Sequence, residues 1–226
     1  MKGRRIVAIM LALSFLCIPV MATDSFYQVE RKTIREYFDQ STMGFSDTSG
    51  HWAEQMIYEA VNLGFVSGVS ETRFSPDVPM TRAMLVTMLY RMAGEPEVTS
   101  KSSYTDVPAG SWYEKAVLWT VEKSISYSQS ETLFGVDGSA TREQIVTMLY
   151  RYARTMGYDV SQYGNTTGFA DSGEISASSK AAVSWAVANK LISGKENNKL
   201  EPTASATRAE VIAIMMRFLH LNEGEQ

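Results

Sequence analysis

Three arginines stand in one local setting. Arg82, Arg142 and Arg208 each follow a threonine, as Thr81-Arg82, Thr141-Arg142 and Thr207-Arg208. Threonine suits a helix N-cap, where its hydroxyl accepts a free backbone N–H. Gln144 and Glu210, three residues on, complete capping boxes, and Met84 does not. Each arginine therefore falls at a first helical position, where the helix dipole disfavours a cation. Three cations in that place expect something negative. A carboxylate docked at exposed N–H groups and a guanidinium is one answer. An acid from a neighbouring part of the chain, paired only to fix the assembly, is the other.

A second set of candidates accompanies them. Phe45-Ser46-Asp47, Tyr104-Thr105-Asp106 and Phe169-Ala170-Asp171 share an aromatic with an aspartate two residues on. Trp52 and Trp112 follow the first two. An indole offers a flat apolar face to a sugar ring and an N–H to a hydroxyl, or it anchors a helix in the core. Asp47, Asp106 and Asp171 either accept sugar hydroxyls or cap the next helix or turn. Gly68 and Gly194 lie 14 residues before Arg82 and Arg208. They allow close backbone approach to a ligand, or serve a turn.

Little else in the chain carries chemistry. One cysteine and two histidines in 226 residues leave no material for a zinc site, a disulfide framework or a Cys/His pair. His51 and His220 read as structural. No phosphate loop or nucleophile elbow is present, and no carboxylate pair declares itself as acid and base. A formal charge of -4 excludes a strongly basic nucleic-acid binder. The expectation is a binding protein, not an enzyme, with no metal or cofactor.

The candidates are positioned by a repeat. Thr87-Met88-Leu89-Tyr90-Arg91 recurs letter for letter as Thr147-Met148-Leu149-Tyr150-Arg151, 60 residues later. A looser third copy runs from Thr207-Arg208 to Leu219. Phe74, Phe134 and Leu200 coincide in this alignment, as do Pro76, Val136 and Pro202. The units span 44–94, 103–156 and 168–221. Each reads as helix, loop, helix: Ala53, Ile57, Ala60 and Val61 at helical spacing, a glycine-bounded turn, then Met84, Leu85, Met88 and Leu89 on one face. One unit cannot bury its stripes alone. The fold class is all-α, with three units around a shared helical core and methionines as filler.

The N-terminal segment 1–22 reads as a secretory signal peptide. Lys2, Arg4 and Arg5 precede 15 apolar residues, Ile6 to Val20, and small residues follow. Its removal takes away three cations and the only cysteine, leaving a charge of -7 on 204 residues. No later apolar run is long enough to span a bilayer. Residues 23–43 form an extension with one short amphipathic stretch. No appended domain is expected after Leu221.

The three units resemble the S-layer homology (SLH) domain of bacterial surface proteins. The resemblance rests on Phe-Ser-Asp at 45–47, His-Trp-Ala at 51–53, Gly-Phe-Val-Ser-Gly at 64–68, Phe-Ser-Pro at 74–76 and Thr-Arg-Ala at 81–83, with Thr-Arg-Ala-Glu at 207–210. It implies a pseudo-threefold helical assembly on the cell surface or cell wall. The implied partner is a secondary cell-wall polysaccharide bearing a pyruvylated sugar, held non-covalently between neighbouring units. The binding set so implied is Arg82, Arg142, Arg208, Trp52, Trp112, Asp47, Asp106, Asp171, Gly68 and Gly194. The repeats depart from the family pattern at Ser128 for glycine, Ser178 for tryptophan and Met84 for glutamate. One or two working grooves are expected, with Arg82 and Trp52 the best-furnished set. Another surface protein, bound by degenerate repeats, is the alternative partner.

Overall fold

Each Thr-Arg pair opens a helix. The computed structural model describes residues 44–222. It contains α1 (Glu54–Asn62), α2 (Arg82–Met92), α3 (Glu114–Glu122), α4 (Arg142–Met156), α5 (Lys180–Ala188) and α6 (Arg208–Asn222). Two helices fall in each repeat, and the all-α expectation holds. Among the described residues, extended pairing is confined to three isolated bridges. The signal peptide over 1–22 and the extension 23–43 lie outside the described residues.

The second helix of each repeat starts on its threonine. Met84 N–H donates to Thr81 Oγ1 at 3.2 Å, Gln144 N–H to Thr141 Oγ1 at 3.3 Å and Glu210 N–H to Thr207 Oγ1 at 3.2 Å. Gln144 and Glu210 return the bond to their threonine N–H, while Met84 has no acceptor to offer. α4 stops at Gly157, whose φ of 83° is the left-handed cap that glycine adopts without strain.

The second helices form the inside of the molecule. α6 buries Val211, Ile212, Ala213, Ile214, Met215 and Met216 in succession, so no face of that stretch meets water. α1, by contrast, buries only Ile57 and Ala60. α2 packs against α3, α4 against α5, and α6 against α1. Each inner helix thus takes the outer helix of the next repeat, and the third repeat takes that of the first.

Backbone hydrogen bonds close the same cycle. Met80 N–H donates to Ala206 O at 2.9 Å, Ala206 to Ala140 at 3.3 Å, and Ala140 to Met80 at 2.9 Å. All three residues are fully buried. A buried segment must satisfy its own polar groups, and here three extended segments satisfy one another.

Candidate functional site

The three arginines are buried and reach into the loop of the next repeat. Arg82 donates to Tyr127 O and to Phe134 O, the latter at 3.2 Å. Arg142 donates to Leu200 O at 2.8 Å. Arg208 donates to Phe74 O at 3.1 Å and to Ser67 O at 2.8 Å. Arg208 also stands 4.4 Å over the Phe74 ring, and Arg82 stands 4.7 Å over Phe134. Burial pushes Arg208 down to about 10, against the pull of Asp47, so it stays charged at neutral pH.

The first N–H groups of these helices are also occupied. Arg82 and Ala83 donate to Gly138 and Val136, Arg142 and Glu143 to Ala204 and Pro202, and Arg208 and Ala209 to Val78 and Pro76. The expectation of exposed N–H groups awaiting a carboxylate is therefore corrected. The next repeat's carbonyls satisfy the orphan donors of each helix start. Those carbonyl oxygens supply most of the negative end that the arginines need, and among the described residues one acid lies within 4 Å of any of the three. That acid is Glu210, whose carboxylate lies 3.9 Å from Arg142.

Aspartates and glycines shape the loops from within their own repeat. Asp47 accepts Phe74 and Ser75 N–H, both at 2.8 Å. Asp106 accepts Phe134, Gly135 and Val136 N–H, and Asp171 accepts Leu200 and Glu201 N–H. Burial raises all three carboxyls, but these backbone bonds outweigh it and hold them below the usual carboxylate range. The oxygens expected to meet sugar hydroxyls, or to cap the next helix, are committed to the stretch before the inner helix. At Gly68 a Cβ would sit 2.4 Å from the Phe45 ring and 2.6 Å from Ser70 O. At Gly194 it would meet the Phe169 ring at 2.9 Å. Both glycines make room for their repeat's opening aromatic.

The tryptophans behave differently. Trp52 is 58% exposed and Trp112 61%, so neither is a core anchor. Trp52 lines a cleft of about 190 Å³ with Arg142, Ser193, Lys195, Glu210 and Arg217. The first repeat supplies the indole, the second Arg142, and the third the floor. Arg82 is not in this cleft, so the expected Arg82–Trp52 pairing is not formed. Trp112 takes the matching place just before α3, which packs on α2. A wider cleft of about 640 Å³ lies over the first repeat's loop, lined by Ser67, Gly68 and Arg91.

Two cleft residues escaped the sequence reading. Lys195 bonds Glu210 at 2.7 Å and approaches Glu201 at 3.3 Å. Burial raises the Glu210 carboxyl, and Lys195 with the Thr207 N–H more than reverses it. Arg217 donates to Leu191 O at 3.0 Å. Its equivalents, Arg91 and Arg151, end the letter-for-letter repeat, and that identity was the available signal. Lys195 has no equivalent in the other repeats, so no signal existed for it. Among the described residues no group of three His, Cys, Asp or Glu is placed to hold a metal. No described helix is long and apolar enough to cross a membrane.

Comparison with known proteins agrees with the geometry. The family model of the S-layer homology domain matches residues 44–83, 103–146 and 168–212. An amylopullulanase of Thermoanaerobacterium thermosulfurigenes is 29% identical over 77% of this chain and 9% of its own length. The exoglucanase XynX of Acetivibrio thermocellus is 28% identical over 80% of this chain and 16% of its own. A surface-layer 125 kDa protein of Lysinibacillus sphaericus is 28% identical over 77% and 14%. The chain thus corresponds to a small part of each relative. With three matched stretches covering more than half of its length, the chain belongs to the S-layer homology domain family.

Proposed function

We propose that this chain binds a cell-wall polysaccharide non-covalently at the bacterial surface, with a pyruvylated sugar of a secondary polysaccharide as the anchored group. The observation that carries this reading is the Trp52 cleft. An exposed indole there stands beside Arg142, Lys195 and Arg217, with Glu210 the only acid among the residues lining it. The indole face stacks on a sugar ring, and the cations receive the ketal carboxylate. Glu210 now neutralises Lys195, and an incoming carboxylate takes its place. At about 190 Å³ the cleft is smaller than a drug-sized pocket of roughly 300 Å³ or more, which suits one sugar of a polymer. Cations confined to the cleft let a chain of formal charge -4 meet an anionic wall.

Relatives as unlike as an amylopullulanase and a surface-layer protein share this segment. That supports an attachment role for the shared part, with catalysis residing elsewhere in such enzymes. The closed cycle of backbone bonds supports a pseudo-threefold relation of the repeats. In this reading Asp47, Asp106, Asp171, Gly68 and Gly194 hold the loops, while Arg142 and the tryptophans meet ligand. Arg82 and Arg208 hold the loops of the second and first repeats through backbone carbonyls. The signal-like segment 1–22 directs secretion.

Co-sedimentation with purified cell-wall sacculi tests the reading, before and after chemical removal of the secondary polysaccharide. The protein pellets with intact sacculi, stays in solution with stripped ones, and loses at least tenfold in affinity on Trp52→Ala. Failure to pellet with intact sacculi overturns it.

A further inference from the structure

His51 directly precedes Trp52, and only 14% of its side chain is exposed. Both of its ring nitrogens are engaged. Nδ1 accepts the Ala53 N–H at 3.1 Å, and Nε2 lies 3.2 Å from Asp77 Oδ1. An amide can only donate, so Nδ1 carries no proton and Nε2–H donates to the carboxylate. The ring is neutral and held in one tautomer. The bond from Ala53 spans Trp52 itself. Ala53 is fully buried and, as the N-cap of α1, offers no side-chain acceptor. The His51 ring supplies one, and so fixes the backbone on both sides of the exposed indole. The imidazole also lies 5.4 Å from the indole, tilted by 36°.

The other repeats lack this brace, although they share the turn. Ser111 stands in the place of His51 before Trp112, and its hydroxyl is buried without a partner among the described residues. In the third repeat Ala177 and Ser178 take the two places. Glu54 N–H donates to His51 O at 2.9 Å, as Glu114 N–H does to Ser111 O at 3.1 Å. Gly50 N–H reaches the Glu54 carboxylate at 3.0 Å, as Gly110 N–H reaches Glu114 at 2.7 Å. The turn therefore forms without an imidazole. What His51 adds is confined to the residue that follows it.

A proton on Nδ1 removes the acceptor and leaves the buried Ala53 N–H without a partner. A charged imidazole beside an indole also draws on the π-face that a sugar ring needs. The new charge is met by Asp77, already on Nε2–H. Among the groups around it, Glu54 is committed to Gly50 N–H. On α6, which packs on α1, His220 lies 3.1 Å from Glu59. Trp52 shares its cleft with Arg142, Lys195, Glu210 and Arg217. Histidine is the one of these side-chain types whose ordinary titration falls between pH 5 and 8.

We propose that His51 is a positioning residue for Trp52, and that protonation of its ring loosens the indole and releases the wall polymer in mild acid. The inference rests on the polysaccharide-binding reading and adds a release condition to it.

The test follows binding of the full chain to purified cell-wall sacculi at pH 7.5 and at pH 5.5. Wild type binds about fivefold more weakly at the lower pH, as expected for losing one hydrogen bond. His51→Asn binds equally at both, because an asparagine oxygen accepts the N–H two residues on and does not titrate. His51→Ala is already about fivefold weaker at pH 7.5 and falls no further. His220→Gln changes the other histidine and keeps the wild-type fall. Unchanged melting temperatures show that the variants fold, as the turn at Ser111 leads one to expect. If wild type does not weaken in acid, if His51→Asn weakens with it, or if His51→Ala binds as wild type at pH 7.5, the positioning role is overturned and the cleft reading stands. If wild type does not pellet at pH 7.5, the polysaccharide reading falls and takes this inference with it.

Discussion

Arg208 and Trp52 meet at the same junction, between the third repeat and the first, and differ in almost every physical respect. Arg208 is 3% exposed and holds two carbonyls of the first repeat's loop. Trp52 is 58% exposed beside the opposite loop. One closes the cycle of repeats, and the other can change without disturbing it. Burial therefore separates the two roles that the family motif carries together. The charge of Arg208 builds the assembly, while the exposed indole at the rim is free to meet ligand.

Removing Arg208 gives the largest expected effect on stability. Hydrogen bonds to a charged group are worth about 1.5–3 kcal/mol each, and Arg208→Ala breaks two while leaving Phe74 O and Ser67 O without them. A loss of about 3 kcal/mol, or roughly 10 °C in Tm for a domain of this size, is expected in a thermal melt. Trp52→Ala changes stability by no more than about 0.5 kcal/mol yet releases the protein from sacculi. Equal melting temperatures for the two variants would erase the distinction.

The loop glycines sharpen the contrast within one structural role. An alanine at 68 places Cβ 2.4 Å from the Phe45 ring and 2.6 and 2.8 Å from two backbone oxygens. Backbone cannot step aside cheaply, so Gly68→Ala costs about 2 kcal/mol as overpacking. At Gly194 the nearest atoms are side-chain atoms at 2.9 and 3.3 Å, and Gly194→Ala costs about 1 kcal/mol. Urea titrations of both variants check the order.

Much of this was legible in the sequence for a reason. Helix starts, the helix–loop–helix alternation and the repeat length are local signals, written in caps, glycines and periodic apolar residues. The targets of the arginines were not. Arg208 bonds a carbonyl 134 residues away, and a carbonyl leaves no side-chain signature. Asp47 was readable as a capping acid, but its partners lie 27 and 28 residues downstream. The pairing of Trp52 with Arg142 rather than Arg82 depends on the third repeat closing onto the first, which no spacing encodes. Exposure of both tryptophans follows from the same geometry. The outer helices pack one face on their neighbours, and each indole precedes the helix.

The aspartate straps give the comparison a pH axis. Asp47, Asp106, Asp171 and Glu210 all have carboxyls held below their ordinary values in the fold. A group with a depressed folded pKa stabilises fully above its unfolded value, near 4. That stabilisation is lost as pH falls through the folded value. Melting temperature is therefore level above about pH 5 with respect to these groups and drops as pH falls below about 4. Asp106→Asn sets an NH2 against one of three backbone donors and costs about 1.5 kcal/mol. It also flattens the acid limb of the melting curve. Arg208, at about 10, contributes nothing in this range. An unchanged acid limb in Asp106→Asn would remove the aspartate strap from the account.

The smallest effect restores symmetry between the first and third repeats. Glu210 caps Thr207 N–H at 2.9 Å and lies 3.9 Å from Arg142. In the first repeat Met84 stands there, with its sulfur 3.4 Å from Arg208 Nη1. Met84→Glu gives α2 the reciprocal cap and sets a carboxylate at a helix N-terminus beside a buried guanidinium, both favourable. It also exchanges a partly buried thioether for a charge, which offsets part of the gain. A net stabilisation of about 0.5 kcal/mol, or one to two degrees in Tm, is expected. A fall of that size would mean that Arg208 is already satisfied by the two carbonyls and the Phe74 ring. The acid of the family motif would then serve its cap and the lysine of its cleft, with no part in holding the cycle of arginines together.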